Sequence, residues 1–203
     1  MSASRQLIVI RIGGSLLDLP ALHCKINQLL NRLQPARILL ITGGGHAAET
    51  IRQLDHRFTI HPSLAHWQAI AAMSFNANVL VRTGRHLKVV TDPESAGMAW
   101  ETDCTPVLDP LAWLRGPGRR VAATLPHSWH VTSDSIAAAV LHAWDGQRLI
   151  LAKSCSPPAR NIRDLAAAGA VDLYLPQIAE MLTIEWCCLR NSEIPRLLRI
   201  HTS

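Results

Sequence analysis

Leu7-Ile8-Val9-Ile10-Arg11-Ile12-Gly13-Gly14-Ser15 decides the fold. Its first four residues are an aliphatic run that reads as a fully buried strand, and the run breaks into a glycine turn before Leu16 and Leu17 resume an apolar pattern. A strand that ends in glycine ends where backbone can touch a ligand. The design repeats at Arg37-Ile38-Leu39-Leu40-Ile41-Thr42, which runs into Gly43-Gly44-Gly45 before His46-Ala47-Ala48-Glu49 opens a helical stretch. Glycine there permits positive φ and lets amide N–H groups approach an anion, and a helix start adds partial positive charge. Both turns point to phosphate handling.

Between the turns, Leu22, Ile26, Leu29, Leu30 and Leu33 fall on one face of a helix predicted over residues 21–33. Strand, turn, helix and strand in that order make a βαβ unit, which implies a parallel sheet with a right-handed crossover. Further helices are predicted over residues 46–54, 62–81 and 133–144, with strands at 88–90 and 148–152. Residues 105–110 read as a short edge strand, because proline cannot donate to a central ladder, and 115–118 as a loop. The tail predicts short helices over 164–168, 176–182 and 194–198 around a strand at 183–189. The expected fold is α/β, a three-layer αβα sandwich on a mostly parallel sheet, as one domain over residues 1–203. Its ligands belong at the carboxyl ends of the strands.

Composition narrows the function. With 203 residues and 48% hydrophobic content the chain can bury one sizeable core. The net charge of +5 is scattered rather than gathered into runs, and six Trp, two Phe and one Tyr are few, so anionic small molecules fit better than nucleic acid. Cys24, Cys104, Cys155, Cys187 and Cys188 are odd in number and lack paired metal spacing, which reads as reduced, mostly buried thiols. The first apolar run is short and ends in Arg11, and no stretch has the length of a membrane span, so a soluble cytoplasmic protein is expected.

A third stretch, Trp129-His130-Val131-Thr132-Ser133-Asp134-Ser135-Ile136-Ala137-Ala138, carries a carboxylate where a loop enters a helix. Alone, Thr132, Ser133 and Asp134 read as an N-cap and first turn. Beside two glycine turns and Lys153 at the end of the following strand, they complete a set of anion donors, a carboxylate and cations.

These three ordered motifs resemble those of the amino acid kinase family, which includes acetylglutamate, aspartate, carbamate and uridylate kinases. The opening strand through Leu16 is similar to the family's first motif, Thr42-Gly43-Gly44-Gly45 to its second loop, and Thr132-Ser133-Asp134-Ser135-Ile136-Ala137 to its later motif. Ser128-Trp129, Leu151-Ala152-Lys153-Ser154 and Ala170-Val171-Asp172 resemble a short branch associated with aminomethylfuran phosphate kinase. The resemblance implies ATP and Mg2+ as cofactors, a phosphorylated or carboxylated small-molecule acceptor, and a homo-oligomer. It assigns Gly13, Gly14 and Ser15 to ATP's phosphoryl region, with Asp172 near the adenine. Gly43, Gly44 and Gly45 would hold the acceptor, Thr132 and Ser133 would contact acceptor or magnesium, and Asp134 would orient the cations. Arg11 stands where the family has lysine, and the late glycine-methionine loop with its second lysine has no counterpart, so Lys153 is expected to supply that charge. Those two departures also motivate a binding or regulatory relative without the chemistry.

Other patterns carry less. Gly43-x-Gly45-x-x-Ala48 matches a dinucleotide fingerprint, but residues 58–63 lack the acid that should follow, and neither turn continues into the Gly-Lys-Ser/Thr of a P-loop. His127, His130 and Asp134 read more readily as hydrogen-bonded groups than as a metal site, and His66 as a core histidine than as an acceptor contact.

Overall fold

The computed structural model describes residues 6–190 and 195–202. Among the described residues, seven strands form one sheet. They are β1 (Leu7–Ile12), β2 (Arg37–Thr42), β3 (Leu87–Val90), β4 (Thr105–Leu108), β5 (Arg148–Lys153), β6 (Thr183–Cys188) and β7 (Leu197–Ile200), in the order β3-β4-β2-β1-β5-β6-β7. Every neighbouring pair is parallel except β6 with β7. The helices are α1 (Leu22–Leu33), α2 (Gly45–Phe58), α3 (Pro62–Thr83), α4 (Pro93–Glu101), α5 (Pro110–Arg115), α6 (Arg119–Ala122), α7 (Ser133–Ala143), α8 (Ile162–Ala167) and α9 (Leu175–Ile178).

Strand alternation sorts the core into two layers. Val9, Leu39, Ile41, Leu149 and Leu151 pack with Ile70 of α3, Ala96 of α4 and Ile136 and Val140 of α7. The alternate residues Ile8, Ile10, Ile38, Leu40 and Ile150 pack with Leu22, Ile26, Leu29 and Leu33 of α1. Three layers result, as the hydrophobic pattern requires. The same period of two has a consequence for function. Arg11 continues the face of Val9, and Lys153 continues that of Leu149 and Leu151, so both cations emerge on the α7 side of adjacent strands paired Arg11 to Leu151.

Local chemistry explains the helix starts. Asp92 caps α4 in a reciprocal box with Ser95, and Asp109 accepts from the Ala112 amide at 3.0 Å with Pro110 as the first residue of α5. The Thr132 carbonyl accepts from the Ile136 amide at 3.0 Å but its side chain makes no capping bond to α7, so that helix takes its side-chain cap from elsewhere.

Three expectations are corrected. The strand beginning at Thr105 lies between β3 and β2, not at an edge. Thr105 and Asp109 donate to the His86 and Val90 carbonyls on the β3 side, so alternation turns the donorless nitrogen of Pro106 toward β2, where the ladder narrows to the single pair Leu40 and Val107. The predicted helix 194–198 is replaced by β7, whose residues 197–200 run antiparallel to β6; residue 194 lies outside the described residues. Cys187 and Cys188 are buried, whereas Cys24 and Cys155 are exposed.

The two glycine turns touch each other. A Cβ on Gly14 would fall on the backbone of Gly45, whose φ of +53° itself favours glycine, and one on Gly43 would lie 2.9 Å from the Gly14 nitrogen. Gly97 inside α4 faces open space. Gly14→Ala is therefore expected to lower stability by about 2 kcal/mol or more, and Gly97→Ala to raise it by about 0.5–1 kcal/mol. Urea unfolding midpoints check both; an unchanged midpoint for Gly14→Ala would contradict the turn-to-turn contact.

Candidate active site

The carboxyl ends of β1, β2 and β5 meet the start of α7, and Asp134 sits at the centre. Its side chain is 4% exposed and lies between two cations. Lys153 Nζ donates to Asp134 Oδ2 at 2.9 Å and to the Ala170 carbonyl at 2.9 Å, and stands 5.4 Å from the centroid of the Trp186 ring. Arg11 Nε is 3.0 Å from Asp134 Oδ1, but the guanidinium directs its hydrogen bonds at Ser133 Oγ, from Nε at 3.0 Å and Nη2 at 2.6 Å. Oδ1 is thus charge-paired without a directed hydrogen bond. Burial pushes the Asp134 carboxyl up, and the charges of Arg11 and Lys153 outweigh burial and hold it below the usual carboxylate range. Burial, followed by the Arg11 charge, lowers Lys153, against the attraction of Asp134.

Asp172 holds α7 in place. Its Oδ2 accepts from the Thr132 amide at 2.9 Å, the Thr132 hydroxyl at 2.9 Å and the Ser135 amide at 3.0 Å, while Oδ1 accepts from the Ser135 hydroxyl and the Leu175 amide. This carboxylate caps a helix from 40 residues away in sequence. The family resemblance implies that Asp172 lies near the adenine; in the structure its side chain bonds Thr132 and Ser135 at the start of α7 and the Leu175 amide of α9, while the residue borders the polar cleft.

The glycines divide their duties. Gly13 donates to the Ala152 carbonyl and Gly43 to that of Ile12, both at 2.8 Å, so these two amides extend the sheet rather than face an anion. The next amides, Gly14 and Ser15, begin a 3-10 turn, and Gly45, His46 and Ala47 begin α2. They have no acceptor within their own helical turns. A Cβ on Gly43 would also stand 3.0 Å from Arg11 Nη2, so this glycine leaves the guanidinium its room. Ser15 Oγ reaches Ser154 Oγ at 3.3 Å, and Gly44 lines an apolar pocket with Thr132 and Ser133.

Arg11, Asp134 and Lys153 border a polar cleft of about 510 Å³ whose far wall is residues 166–167 and 169–173. Among the described residues, no group of three or more His, Cys, Asp or Glu side chains could hold a metal ion, and the acid of the site already carries two cations. The residues do not form a magnesium cage; the ion fits this cleft only when carried by phosphate oxygens and water.

No family model matches the chain. A uridylate kinase from Archaeoglobus fulgidus superposes with a TM-score of 0.59 at 16% identity, covering 88% of each chain. A UMP kinase from Ureaplasma parvum superposes at 0.59 with 13% identity, covering 97% of this chain and all of that one. The fold is that of the amino acid kinase family. In sequence, a (5-(aminomethyl)furan-3-yl)methyl phosphate kinase from Methanocaldococcus jannaschii is 26% identical over 144 residues, which span 71% of this chain and 64% of that relative's length.

Within this kinase fold, several residues of the site escape a reading of motifs. Asn76, buried in α3, donates to the Gly43 carbonyl at 2.7 Å, and Thr42 donates to the Met73 carbonyl at 2.8 Å, so α3 fixes the second turn. Of the two asparagines in α3, Asn76 falls among the buried positions and Asn78 does not, and that polar residue on the core side is the signal that could have found it. Arg52 and Trp129 border the cleft from α2 and from the loop before α7. His66 is 5% exposed and stacked on His127 with centroids 4.8 Å apart. Burial, and then the His127 charge, push its pKa down to about 4.

A histidine whose folded-state pKa lies below its unfolded value is protonated more readily in the unfolded chain. Its contribution to stability is full above pH 6.5 and is lost as pH falls from 6.5 through about 4. Urea unfolding across that window should show falling stability in the wild type and a flatter profile in His66→Gln; identical profiles would contradict a buried neutral imidazole.

Proposed function

We propose that the protein is an ATP-dependent kinase that transfers the γ-phosphoryl group to a small phosphorylated or carboxylated acceptor. One observation carries the reading: Arg11 and Lys153, on adjacent parallel strands, share the buried carboxylate of Asp134 at the mouth of a polar cleft. Phosphoryl transfer to an anionic oxygen needs little base catalysis, and depends on positioning and on neutralising charge that spreads over the equatorial oxygens. Two fixed cations with one carboxylate between them meet that demand without reorganising.

In this scheme Lys153 and Arg11 face the transferring group, and the amides of Gly14 and Ser15 hold the nucleotide's phosphates. The cleft wall at residues 166–167 and 169–173, where Ala167, Gly169 and Ala170 present little side chain, takes the base. The amides beginning α2, together with Thr132 and Ser133, border the acceptor. Asp134 holds both cations in register and Asp172 holds α7. Magnesium, when bound with the nucleotide, adds charge neutralisation at its phosphates. The sequence relative, a (5-(aminomethyl)furan-3-yl)methyl phosphate kinase, supports an aminomethylfuran phosphate as the acceptor. A cytoplasmic homo-oligomer accompanies this reading. Among the described residues no helix is long and apolar enough to cross a membrane, and the exposed Leu64, Phe75 and Val79 of α3 offer an interface.

A second reading, a ligand-binding relative without turnover, is favoured by the commitment of Arg11 Nε and Nη2 to Ser133. ATP consumption by the purified protein with magnesium, against aminomethylfuran phosphate, uridylate and acetylglutamate, separates the two. Turnover on the furan phosphate is expected, falling by about 10²-fold or more in Asp134→Asn and Lys153→Ala. Silence on all three acceptors, with ligand binding intact by calorimetry, would establish the second reading.

A further inference from the structure

Lys153 has a neighbour that none of the three motifs contains. The pairing of β5 with β6 sets Leu151 opposite Trp186 and Lys153 opposite Cys188, so Trp186 is the diagonal neighbour of Lys153. Trp186 belongs to the core layer of Leu149 and Leu151, on the face that Lys153 continues. Nζ of Lys153 stands 5.4 Å from the indole centroid, inside the range over which a ring face attracts a cation. The indole is fully buried, and its N–H donates to the Cys155 carbonyl at 2.7 Å. Trp186 thus holds the end of β5 twice, with its ring beside the ammonium and its N–H on the turn two residues further on.

The other neighbours of Lys153 pull in opposite directions. Burial favours the neutral amine and the Arg11 charge repels the ammonium, while Asp134 of α7 and Asp172 before α9 attract it. The thiol of Cys188 lies opposite on β6. A π face stabilises only the charged form, so Trp186 acts on the side of the two carboxylates. It also limits direction. An ammonium has three N–H donors on a flexible stem. Two of them go to Asp134 Oδ2 and the Ala170 carbonyl, both at 2.9 Å. With the indole closing a further side, the third is left with the polar cleft that Lys153 lines.

We propose that Trp186 is a positioning residue for phosphoryl transfer: its ring confines the Lys153 ammonium, so that the one N–H not taken by Asp134 and Ala170 points into the cleft. The proposal rests on the kinase reading. Trp186 touches no substrate and acts wholly through Lys153. Its loss leaves the ammonium on Asp134 but frees its direction, so the transfer step suffers more than nucleotide binding does.

The chain has three lysines, Lys25, Lys88 and Lys153. Protein carrying 13C-labelled lysine therefore gives a simple NMR titration without nucleotide, in which the Lys153 signal is assigned by its loss in Lys153→Met. Removing a ring face that favours the charged amine moves the Lys153 midpoint to lower pH. A fall of about half a pH unit or more is expected in Trp186→Leu, and a smaller one in Trp186→Phe. Fluorotryptophan incorporation drains the ring face of electron density while keeping its shape and N–H. It should lower the midpoint in the wild type and leave Trp186→Phe unmoved, an arm that stands even where the leucine variant does not fold. In turnover, Trp186→Leu should lose about tenfold or more in kcat with the KM for ATP within about threefold, and Trp186→Phe should stay within about threefold in both. A midpoint that neither leucine nor fluorotryptophan moves would overturn the proposal, as would wild-type kcat in a folded Trp186→Leu. A shifted midpoint in a wild type that turns over no ATP would instead remove the kinase reading and leave the ring's hold on Lys153 standing.

Discussion

A carboxylate buried between two cations is an unusual thing for a core to contain, and the carboxyl end of this sheet is arranged around one. Taking Asp134 out of water is costly, and the charges of Arg11 and Lys153, with the hydrogen bonds from Lys153 and the backbone, return that cost. The relation is mutual for Lys153, because burial favours its neutral form and the charge of Asp134 opposes that. Strand alternation puts Arg11 and Lys153 on one face of adjacent strands, and α7 must then present Asp134 to them. Asp172 secures that helix by accepting from three groups of Thr132 and Ser135 through one oxygen, so a second carboxylate positions the first.

The glycine turns solve a packing problem before a binding one. Gly14 and Gly45 meet backbone to backbone, and Gly43 leaves space for the Arg11 guanidinium. With Gly13 and Gly43 spending their amides on the sheet, the donors left for a ligand are those one step further on, at the starts of helical turns. The site that results has fixed cations and oriented amides but no metal cage, which suits a reaction limited by placement and charge. The amino acid kinase fold supplies the frame.

Much of this was legible in the sequence, for identifiable reasons. Val9-Ile10-Arg11-Ile12-Gly13-Gly14 shows its strand and turn because apolar alternation and glycine are local signals, and α1 shows its core face in the same way, whereas Leu64, which helical spacing puts on the core face of α3, is exposed. Lys153 could be linked to Asp134 because both end or begin predicted elements that a parallel sheet brings to one edge. What stayed hidden depends on tertiary placement. Asp172 reads as a ligand contact in sequence because nothing local says that its carboxylate reaches back to Thr132. Pro106 reads as an edge marker because the side it turns toward β2 depends on a register that only the folded sheet defines. The short α5 and α6 are set by Asp109, Pro110 and the turn at residues 116–118, signals too brief to outweigh a loop reading. Arg52 is one exposed arginine among many until Trp129 is placed beneath it.

In the proposed kinase, Asp134 holds Arg11 and Lys153 where they meet nucleotide phosphates. Calorimetric titration of ATP into the wild type and into Arg11→Met, Lys153→Met and Asp134→Asn tests it most directly, without reliance on an acceptor. The account predicts at least a tenfold loss of affinity, about 1.4 kcal/mol, in each of the three. Wild-type ATP affinity in both cation variants, with the fold intact, would contradict it.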